Sequence, residues 1–329
     1  MKAKIGINGL GRIGRMVLRS IFEEKHKQLK VYHINNRADI NTACELIKRD
    51  SIHGEFKAKV SVKKNNLIIN GNKITYSRET NLSNITWSKY NVDIVLECTG
   101  SFNSRDKLIS HIKNGARKVI VSAPCKNADK TIVYGVNHKN ILSKDKIISA
   151  ASCTTNCLAP VVYVLNNNFV IEKGFMTTIH SFTTDQRLLD NSHKDPRRAR
   201  SASQSIVPTS TGAAKAVALV YPEMKGKLTG IAMRVPTPNV SAVDFVFESS
   251  KSVTSEEINN ALKEASLGSM KGIIKYGDLP LVSSDYAGTN ESSIVDSDLT
   301  MCIGDNLVKI LAWYDNEWGY SQRVVDLAE

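Results

Sequence analysis

A cysteine stands at the point where a predicted strand gives way to a predicted helix. The apolar run 146–150 is typical of a strand, the run 158–165 is typical of a helix, and Cys153 opens the helix. Free backbone N–H groups and the helix dipole favour an anion at such a position. We therefore expect the thiolate of Cys153 to form below the ordinary thiol pKa of about 8.5, which makes this residue a candidate nucleophile.

A histidine ends another predicted strand, because His180 follows the apolar run 175–179. A lone histidine at a strand end is more often structural, so this position alone assigns it no role. We expect Cys157, one helical turn after Cys153, to be a buried packing residue.

The elements that must position a second reactant begin at the N-terminus of the chain. Residues 4–8 form a short apolar run, the sequence Gly-Leu-Gly-Arg-Ile-Gly follows over 9–14, and helical apolar spacing continues from there. This is G-x-G-x-x-G between a strand and a helix, which predicts a dinucleotide site with the pyrophosphate at the helix N-terminus. The alternative is a glycine-rich turn without a ligand.

Alternating strand and helix patterns continue to about residue 150 and predict a mostly parallel sheet. The points after Glu97 and Val121 are carboxyl ends of its strands, where open α/β sheets bind ligands. We predict an α/β fold in which a Rossmann-type, doubly wound parallel sheet is joined to an α+β catalytic domain with a mostly antiparallel sheet. The predicted bounds are 1–150 for the dinucleotide domain, with the terminal helix 317–329 returning to it, and 151–316 for the catalytic domain.

Composition narrows the class of protein. The chain has 329 residues, 42% of them hydrophobic, and a net charge of +12. No apolar run is long enough to span a membrane, and the irregularly spaced cysteines suggest neither disulfides nor a metal site. We expect a cytoplasmic protein without a metal. The densest basic cluster, 194–200, has no interleaved aromatic residues, so we predict no dedicated nucleic-acid site.

Six motifs together resemble the phosphorylating glyceraldehyde-3-phosphate dehydrogenases of bacterial type, over essentially the whole chain. They are residues 6–14, 151–160, 177–181, 210–217, 233–239 and 316–320. The resemblance implies oxidative phosphorylation of D-glyceraldehyde 3-phosphate to 1,3-bisphosphoglycerate with reduction of NAD or NADP, in glycolysis or gluconeogenesis. It also implies a homotetramer.

The resemblance assigns roles residue by residue. Cys153 attacks the aldehyde, and His180 is the base when the thiohemiacetal becomes a thioester. For the substrate phosphate, the residues carried over are Thr183, Arg198 and Arg234. For the attacking phosphate, they are Ser152, Thr154, Thr211 and Gly212. Arg197 and Arg200 are alternatives to Arg198. Those carried over for the cofactor are Asn8, Gly9, Gly11, Arg12, Ile13, Asn36, Arg37, Arg78, Thr99, Gly100, Ser122, Ser192, Asn316 and Tyr320.

Three of these positions bear on the choice between NAD and NADP. An acid normally follows the second strand and binds the ribose 2′-hydroxyl, but here Asn36 and Arg37 occupy that point. An asparagine does not repel a 2′-phosphate, and an arginine can pair with one. Ser192 stands where NAD-preferring members typically carry a leucine–proline pair. The alternative is that Asp39 or Asn36 itself binds the ribose of NAD.

Other functions remain open at this point. Erythrose-4-phosphate dehydrogenase shares the cysteine–histidine scheme, although the segment 210–215 fits the triose enzyme better. Semialdehyde dehydrogenases lack this combination of motifs. A basic nucleic-acid-binding or surface-binding role predicts salt-sensitive binding that survives loss of Cys153.

Overall fold

The computed structural model describes residues 2–23, 26 and 28–329. The chain divides into two compact units. The first contains the chain up to Ile132, residues 138–152 and Ser321–Glu329, and the second contains Val133–Asn137 and Cys153–Tyr320. Within the described ranges, no helix is long and apolar enough to cross a membrane.

The first unit is built on a nine-stranded sheet. Its strands, with a separate two-stranded ladder of β3 and β4, are β1 (Ala3–Asn8), β2 (Leu29–Asn35), β3 (Arg49–Asp50), β4 (Gly54–Glu55), β5 (Val60–Lys63), β6 (Asn66–Ile69), β7 (Asn72–Ser77), β8 (Ile94–Glu97), β9 (Lys118–Val121), β10 (Lys130–Thr131) and β11 (Ile147–Ser149). The sheet order is β10-β11-β9-β8-β1-β2-β7-β6-β5. Every pair from β10 to β7 is parallel, and β7, β6 and β5 are antiparallel. The predicted Rossmann-type parallel sheet is confirmed.

Helices connect these strands. They are α1 (Arg12–Glu23), α2 (Ile40–Lys48) and α3 (Arg105–Lys113), with 3₁₀ turns at Leu82–Asn84, Trp87–Tyr90 and His138–Asn140. The Asp39 carboxylate caps α2 by accepting hydrogen bonds from the backbone N–H groups of Asn41 and Thr42. Because this carboxylate is used as a helix cap, it is a poor candidate for binding ribose.

The second unit is a seven-stranded sheet with helices. Its elements are β12 (Ile171–Ser181), β13 (Val207–Ser210), β14 (Leu228–Val235), β15 (Ser241–Ser249), β16 (Ile274–Gly277), β17 (Ser293–Ile303), β18 (Leu307–Tyr314), α4 (Cys153–Phe169), α5 (Ala213–Val220) and α6 (Ser255–Leu267), with 3₁₀ turns at Pro222–Met224 and Ser283–Tyr286. The last helix, α7 (Trp318–Asp326), begins in this unit, and its residues from Ser321 onward belong to the first. The order is β13-β14-β12-β15-β18-β17-β16. Only the β14–β12 and β16–β17 pairs of this sheet are parallel. The predicted mostly antiparallel sheet is therefore confirmed.

Some element ends differ from the sequence prediction for identifiable reasons. The alternating pattern of the sequence predicts a strand over 131–135, but β10 stops at Thr131. The reason is that the Val133 N–H donates to the Asn137 side chain at 2.8 Å instead of continuing the ladder. The strand expected over 175–179 extends from Ile171 to Ser181, because β14 and β15 pair with it on both sides. His180 therefore lies inside a strand, where it pairs with Arg234 of β14, one residue after the last pair with β15 at Ile179.

Candidate active site

The two predicted catalytic side chains lie side by side in the second unit. Cys153 is the first residue of α4, and His180 is the penultimate residue of β12. Helix α4 is buried along most of its length and packs on the sheet. As a result, Cys153 Sγ lies 3.5 Å from His180 Nε2. This distance suits transfer of a proton between sulfur and nitrogen.

The surroundings of His180 select one tautomer. Its Nδ1 lies 2.7 Å from the Ser181 carbonyl oxygen and 2.6 Å from Arg234 Nη1. Nδ1 cannot donate to the carbonyl and accept from the guanidinium at once. Arg234 Nη1 carries two hydrogens and also donates to that carbonyl at 3.1 Å, so it has an acceptor other than Nδ1. We therefore assign the ring hydrogen to Nδ1, where it donates to the Ser181 carbonyl and leaves Nε2 as an acceptor facing Cys153.

Charge and burial set the resting protonation of this pair. Burial, reinforced by the Arg234 charge, lowers the pKa of His180 to about 3, so the ring is neutral near pH 7. Burial also raises the pKa of Cys153, although Arg234 and hydrogen bonds from Thr154 act in the opposite direction. The expectation that the helix N-terminus lowers this pKa was wrong for the resting site, because loss of solvent outweighs it. The site therefore holds a thiol beside a neutral imidazole.

A tyrosine that sequence reasoning missed completes this cluster. Tyr314 ends β18, and its hydroxyl lies 2.9 Å from Thr154 Oγ1 and 2.8 Å from Thr178 Oγ1. Its ring meets that of His180 edge-on, with centroids 5.9 Å apart. Tyr314 thus links the first turn of α4 to β12. Only the register of β15 between β12 and β18 brings it there, and that register is not visible in sequence.

The structure separates the three arginines that sequence left as alternatives. Arg198 Nε and Nη2 donate to the buried Thr209 hydroxyl at 3.0 and 2.7 Å, and its Nη1 pairs with Asp185. Thr209 lies on β13, which pairs with β14, the strand that carries Arg234. Arg197 is exposed, and Arg200 pairs with an exposed aspartate. Arg198 is the best positioned of the three for an anion near Arg234.

The remaining predicted phosphate residues lie at helix or strand ends. Thr154 is buried in the first turn of α4, and Ser152 directly precedes that helix. Thr211 Oγ1 accepts the Ala213 N–H at 3.2 Å, and Gly212 is the N-cap of α5. Thr183 is half-buried in the loop after β12.

A cleft in the first unit carries the predicted dinucleotide residues. It has a volume of about 440 Å³, and its lining includes Asn8, Gly9, Gly11, Asn35, Asn36, Arg37, Glu79, Cys98 and Thr99. Gly9 has φ +94°, which favours glycine. A Cβ at Gly14 would lie 1.9 Å from the Gly9 carbonyl oxygen, whereas one at Gly11 would meet nothing nearer than 4.0 Å. The first and third glycines thus shape the turn, and the second leaves room for a pyrophosphate.

Several predicted cofactor residues have side chains that already bond within the protein. Arg12 forms an ion pair with Asp50. Burial acts to raise the pKa of Asp50, but Arg12 and two backbone N–H groups outweigh it and lower that pKa. Asn36 accepts from the Leu10 N–H at 3.1 Å and donates to the Tyr76 hydroxyl at 3.1 Å. These contacts hold the glycine turn beside β2.

Other predicted cofactor residues are distributed over both units. In the first unit, Arg78 Nε donates to the Arg37 carbonyl, Ser122 Oγ donates to the Glu97 carbonyl, Gly100 has φ +70° and Ile13 is half-buried. In the second unit, Asn316 Oδ1 accepts from Ser181 Oγ and Ser241 Oγ, both at 2.8 Å. This orients the Asn316 amide. Tyr320 is buried, whereas Ser192 is exposed on the loop between β12 and β13.

Cys157 and metal coordination complete the list of sequence predictions. Cys157 is fully buried, its thiol lies 3.5 Å from Ser293 Oγ, and burial raises its pKa to about 12. These properties suit a packing residue. In the part of the chain that the structure describes, no group of three or more His, Cys, Asp or Glu side chains is arranged to hold a metal.

Comparisons with known proteins identify the family and the relatives to which this sequence is similar. The family profile "Glyceraldehyde 3-phosphate dehydrogenase, NAD binding domain" matches residues 3–105, and the profile of the C-terminal domain matches residues 152–316. The chain is 55% identical to "Glyceraldehyde-3-phosphate dehydrogenase" of Geobacillus stearothermophilus, over all of this chain and 98% of that relative. It is 54% identical to the protein of the same name from Priestia megaterium, over 100% and 98%. It is 53% identical to "Glyceraldehyde-3-phosphate dehydrogenase 2" of Trichormus variabilis, over 99% and 97%.

Proposed function

Because the chain belongs to the glyceraldehyde-3-phosphate dehydrogenase family, we propose that it oxidises D-glyceraldehyde 3-phosphate and phosphorylates the product to 1,3-bisphosphoglycerate. The observation that carries the proposal is the 3.5 Å approach of Cys153 Sγ to His180 Nε2. The reaction needs a sulfur nucleophile and a base that can accept its proton, and this pair supplies both.

The first step follows from the neutral state of both groups. As Cys153 Sγ attacks the aldehyde carbon, the thiol proton moves to His180 Nε2. The imidazolium returns this proton to the carbonyl oxygen, which gives a thiohemiacetal. The Cys153 backbone N–H at the start of α4 is placed to stabilise negative charge on that oxygen while it develops.

In the second step, His180 acts as a base again. Bound NAD or NADP supplies a hydride acceptor. Nε2 takes the hydroxyl proton of the thiohemiacetal as the hydride leaves carbon, and Cys153 is left as a thioester. Inorganic phosphate then attacks the thioester carbonyl, the carbon–sulfur bond breaks, and acyl phosphate leaves. The Cys153 thiolate takes back a proton from the His180 imidazolium, which restores both neutral groups. The neutral tautomer of His180 suits every one of these proton transfers.

Phosphate binding in this scheme rests on the cationic and hydroxyl side chains of the second unit. We assign Arg234, Arg198 and Thr183 to the substrate phosphate, and Ser152, Thr154, Thr211 and Gly212 to the attacking phosphate. Arg234 is beside His180 in register, and Arg198 is held against Thr209. Guanidinium groups and hydroxyls are suitable donors for phosphate oxygens.

For the cofactor, we propose that NADP is used as well as NAD. Asn36 brings no negative charge to the cleft that Arg37 also lines. The Asp39 carboxylate, the alternative ribose ligand, caps α2. Glu79 also lines the cleft, but an uncharged side chain at position 36, beside an arginine, tolerates a 2′-phosphate better than an acid at that position does.

We further propose that the protein is a cytoplasmic homotetramer. In β12, Met176 and His180 are buried, whereas Phe175 on the opposite face is 69% exposed. Ile231, on the neighbouring β14, is 50% exposed. Apolar side chains exposed together on one face of a sheet support pairing with a second copy of the chain.

Initial-rate measurements test the proposed reaction directly. Purified protein, glyceraldehyde 3-phosphate, phosphate and NAD should form NADH and an acyl phosphate. Cys153→Ser should abolish the rate, whereas Cys157→Ser, the matched control in the same helix, should keep most of it. Erythrose 4-phosphate assayed in parallel tests the alternative substrate. A higher kcat/KM for erythrose 4-phosphate, or full activity in Cys153→Ser, would contradict the proposal.

A further inference from the structure

Four neighbouring strands of the first unit end in polar side chains that are hydrogen-bonded in a row. Strands β8, β1, β2 and β7 lie next to one another and end at Glu97, Asn8, Asn35 and Ser77. Asn8 Nδ2 donates to Glu97 Oε2 at 2.6 Å, and Asn35 Nδ2 donates to Asn8 Oδ1 at 2.8 Å. Ser77 Oγ donates to Asn35 Oδ1 at 2.7 Å. We call these four residues the strand-end row.

The Glu97 carboxylate is the acceptor in all four of its side-chain hydrogen bonds. Oε1 accepts from the Thr99 N–H at 2.8 Å and from Thr99 Oγ1 at 2.5 Å. Oε2 accepts from Asn8 and lies 3.0 Å from His111 Nε2. Trp87 Nε1 donates to His111 Nδ1 at 2.8 Å, which places the hydrogen of the neutral ring on Nε2, facing Glu97. Only a carboxylate, which donates nothing, accepts from all of these groups.

This carboxylate is buried among side chains that are themselves buried. Glu97 is 1% exposed, and His111 and Trp87 are fully buried. A buried carboxylate costs free energy unless its lone pairs are all used. An apolar residue would fill the end of β8 at a lower cost in free energy of burial. The position of the carboxylate therefore calls for a reason beyond packing.

The cleft supplies that reason. Asn8, Asn35 and Thr99, which bond to Glu97 or to its direct partner, all line the cleft in which the dinucleotide motif lies. Without Glu97, the Asn8 and Thr99 side chains have no shared anchor and gain rotamers. Holding them before a ligand arrives removes part of the ordering cost of binding.

We propose that Glu97 is a positioning residue for the dinucleotide, which fixes the polar lining of the cleft through Asn8 and Thr99. The proposal rests on the proposed function, because that function makes NAD the occupant of the cleft. Glu97 acts on the affinity for the cofactor and leaves the chemistry at Cys153 unchanged.

The test replaces Glu97 by glutamine, which keeps the size but puts an NH₂ group against one pair of donors. Isothermal titration with NAD alone should show Kd raised by about tenfold, which corresponds to about 1.4 kcal/mol of binding free energy. In initial-rate assays, KM for NAD should rise while kcat at saturating NAD stays at the wild-type value. A wild-type Kd for NAD in Glu97→Gln would overturn the proposal.

Asp129→Asn is the matched control. Asp129 Oδ2 accepts the N–H groups of Lys146 and Ile147, both at 2.9 Å, and Oδ1 pairs with Arg105, but the residue does not line the cleft. We expect this variant to lose thermal stability and to keep the wild-type Kd for NAD. An equal rise in Kd in both variants would mean that the unit is generally loosened, and would also overturn the proposal.

Ser77→Ala decides the matter if Glu97→Gln does not fold. Ser77 is the outer end of the strand-end row and does not line the cleft. Its loss should raise the Kd for NAD above the wild-type value, with kcat unchanged, because the row loses its outer hydrogen bond to Asn35. An unchanged Kd would overturn the proposal. The titrations need no aldehyde substrate. Wild-type protein that binds NAD but oxidises no glyceraldehyde 3-phosphate would therefore refute the proposed function and leave the role of Glu97 to be judged on Kd.

Discussion

Arg234 and His180 are register partners on the parallel strands β14 and β12, and their side chains meet 2.6 Å apart at Nη1 and Nδ1. A permanent cation against the imidazole favours its neutral form, and the same charge favours the thiolate of Cys153. One residue thus favours the form of each member that reacts, the neutral imidazole and the thiolate, although burial still raises the pKa of Cys153.

Replacing Arg234 by glutamine should therefore weaken the nucleophile. Loss of the cation should raise the pKa of Cys153 further, and the rate of its alkylation by iodoacetamide should rise only at higher pH than in wild type. Mass spectrometry of the Cys153 peptide over a pH series measures this. Arg200→Gln, which removes a guanidinium paired with exposed Asp190, should leave the profile unchanged. A profile moved to lower pH in Arg234→Gln would contradict the argument.

Two buried tyrosines should respond differently to loss of their hydroxyls. Tyr314→Phe removes the hydroxyl that bonds to Thr154 and Thr178, and Thr178 keeps only its bond to the Ala242 carbonyl at 3.0 Å. We therefore expect the free energy of unfolding to fall by about 1–3 kcal/mol and kcat to drop. Tyr286 is also buried, but its hydroxyl has no hydrogen-bond partner among the described residues. Tyr286→Phe should be neutral or stabilising. Thermal and urea unfolding of both variants measures the contrast, and equal losses would show that the hydrogen bonds of Tyr314 add nothing.

The glycine turn predicts a second contrast. Gly14→Ala places a methyl group 1.9 Å from the Gly9 carbonyl oxygen, so the turn must move, at a cost of about 1–3 kcal/mol. Gly11→Ala meets no protein atom closer than 4.0 Å and should keep the wild-type melting temperature. It should nevertheless weaken NAD binding, because the methyl group occupies space that the pyrophosphate needs. Unchanged NAD affinity in Gly11→Ala would place the pyrophosphate elsewhere.

Asn36→Asp tests the inference about the coenzyme. A carboxylate in the lining of the cleft should repel a 2′-phosphate, and we expect KM for NADP to rise by about tenfold or more, as for about 1.4 kcal/mol of lost binding. KM for NAD should fall or stay the same. Initial rates with both coenzymes measure the ratio. A wild-type protein whose KM for NADP is already a hundredfold above that for NAD would refute the proposal without any variant.

Acid should destabilise the second unit partly through His180. Its folded pKa of about 3 lies below the ordinary value of 6.5, so its contribution to stability is complete above pH 6.5 and is lost as the pH falls toward 3. The slope reaches at most about 1.4 kcal/mol per pH unit. Urea unfolding at pH 7, 6 and 5 should show a shallower decline in His180→Asn than in wild type. Parallel declines would show that the ring is not buried in its neutral form.

Local patterns in the sequence carried much of the fold. The strand–turn–helix around Gly9 and the capping box of Thr254 with Glu257 depend on residues a few positions apart, and the structure has both. Cys153 at the start of α4 is of the same kind. Each needs only short-range hydrogen bonds or backbone angles, which residue types reveal.

What escaped prediction depends on partners far apart in the chain. Tyr314 reaches Thr154 only through the pairing of β12, β15 and β18. His111 reaches Glu97 only because α3 packs on the sheet that contains β8. The direction of the Cys153 pKa also depends on burial by distant segments. Strand β17 was not predicted, because the polar residue Asp296 lies within it. The indole Nε1 of Trp313 donates to the Asp296 carboxylate at 3.0 Å and so allows it to lie there.

The first unit contains segments that precede and follow the second unit in the chain, which affects when it can fold during synthesis. Ser321–Glu329 belong to the first unit, where Val324 and Val325 are fully buried and Gln322 accepts from Ser20 at 2.7 Å. These residues leave the ribosome after the second unit. The sheet of the dinucleotide-binding unit is translated first. The apolar surface that Val324 and Val325 cover therefore stays exposed until the whole second unit has been synthesised. A ribosome stalled before residue 321 therefore carries an incomplete first unit, with the exposed surface that chaperones recognise.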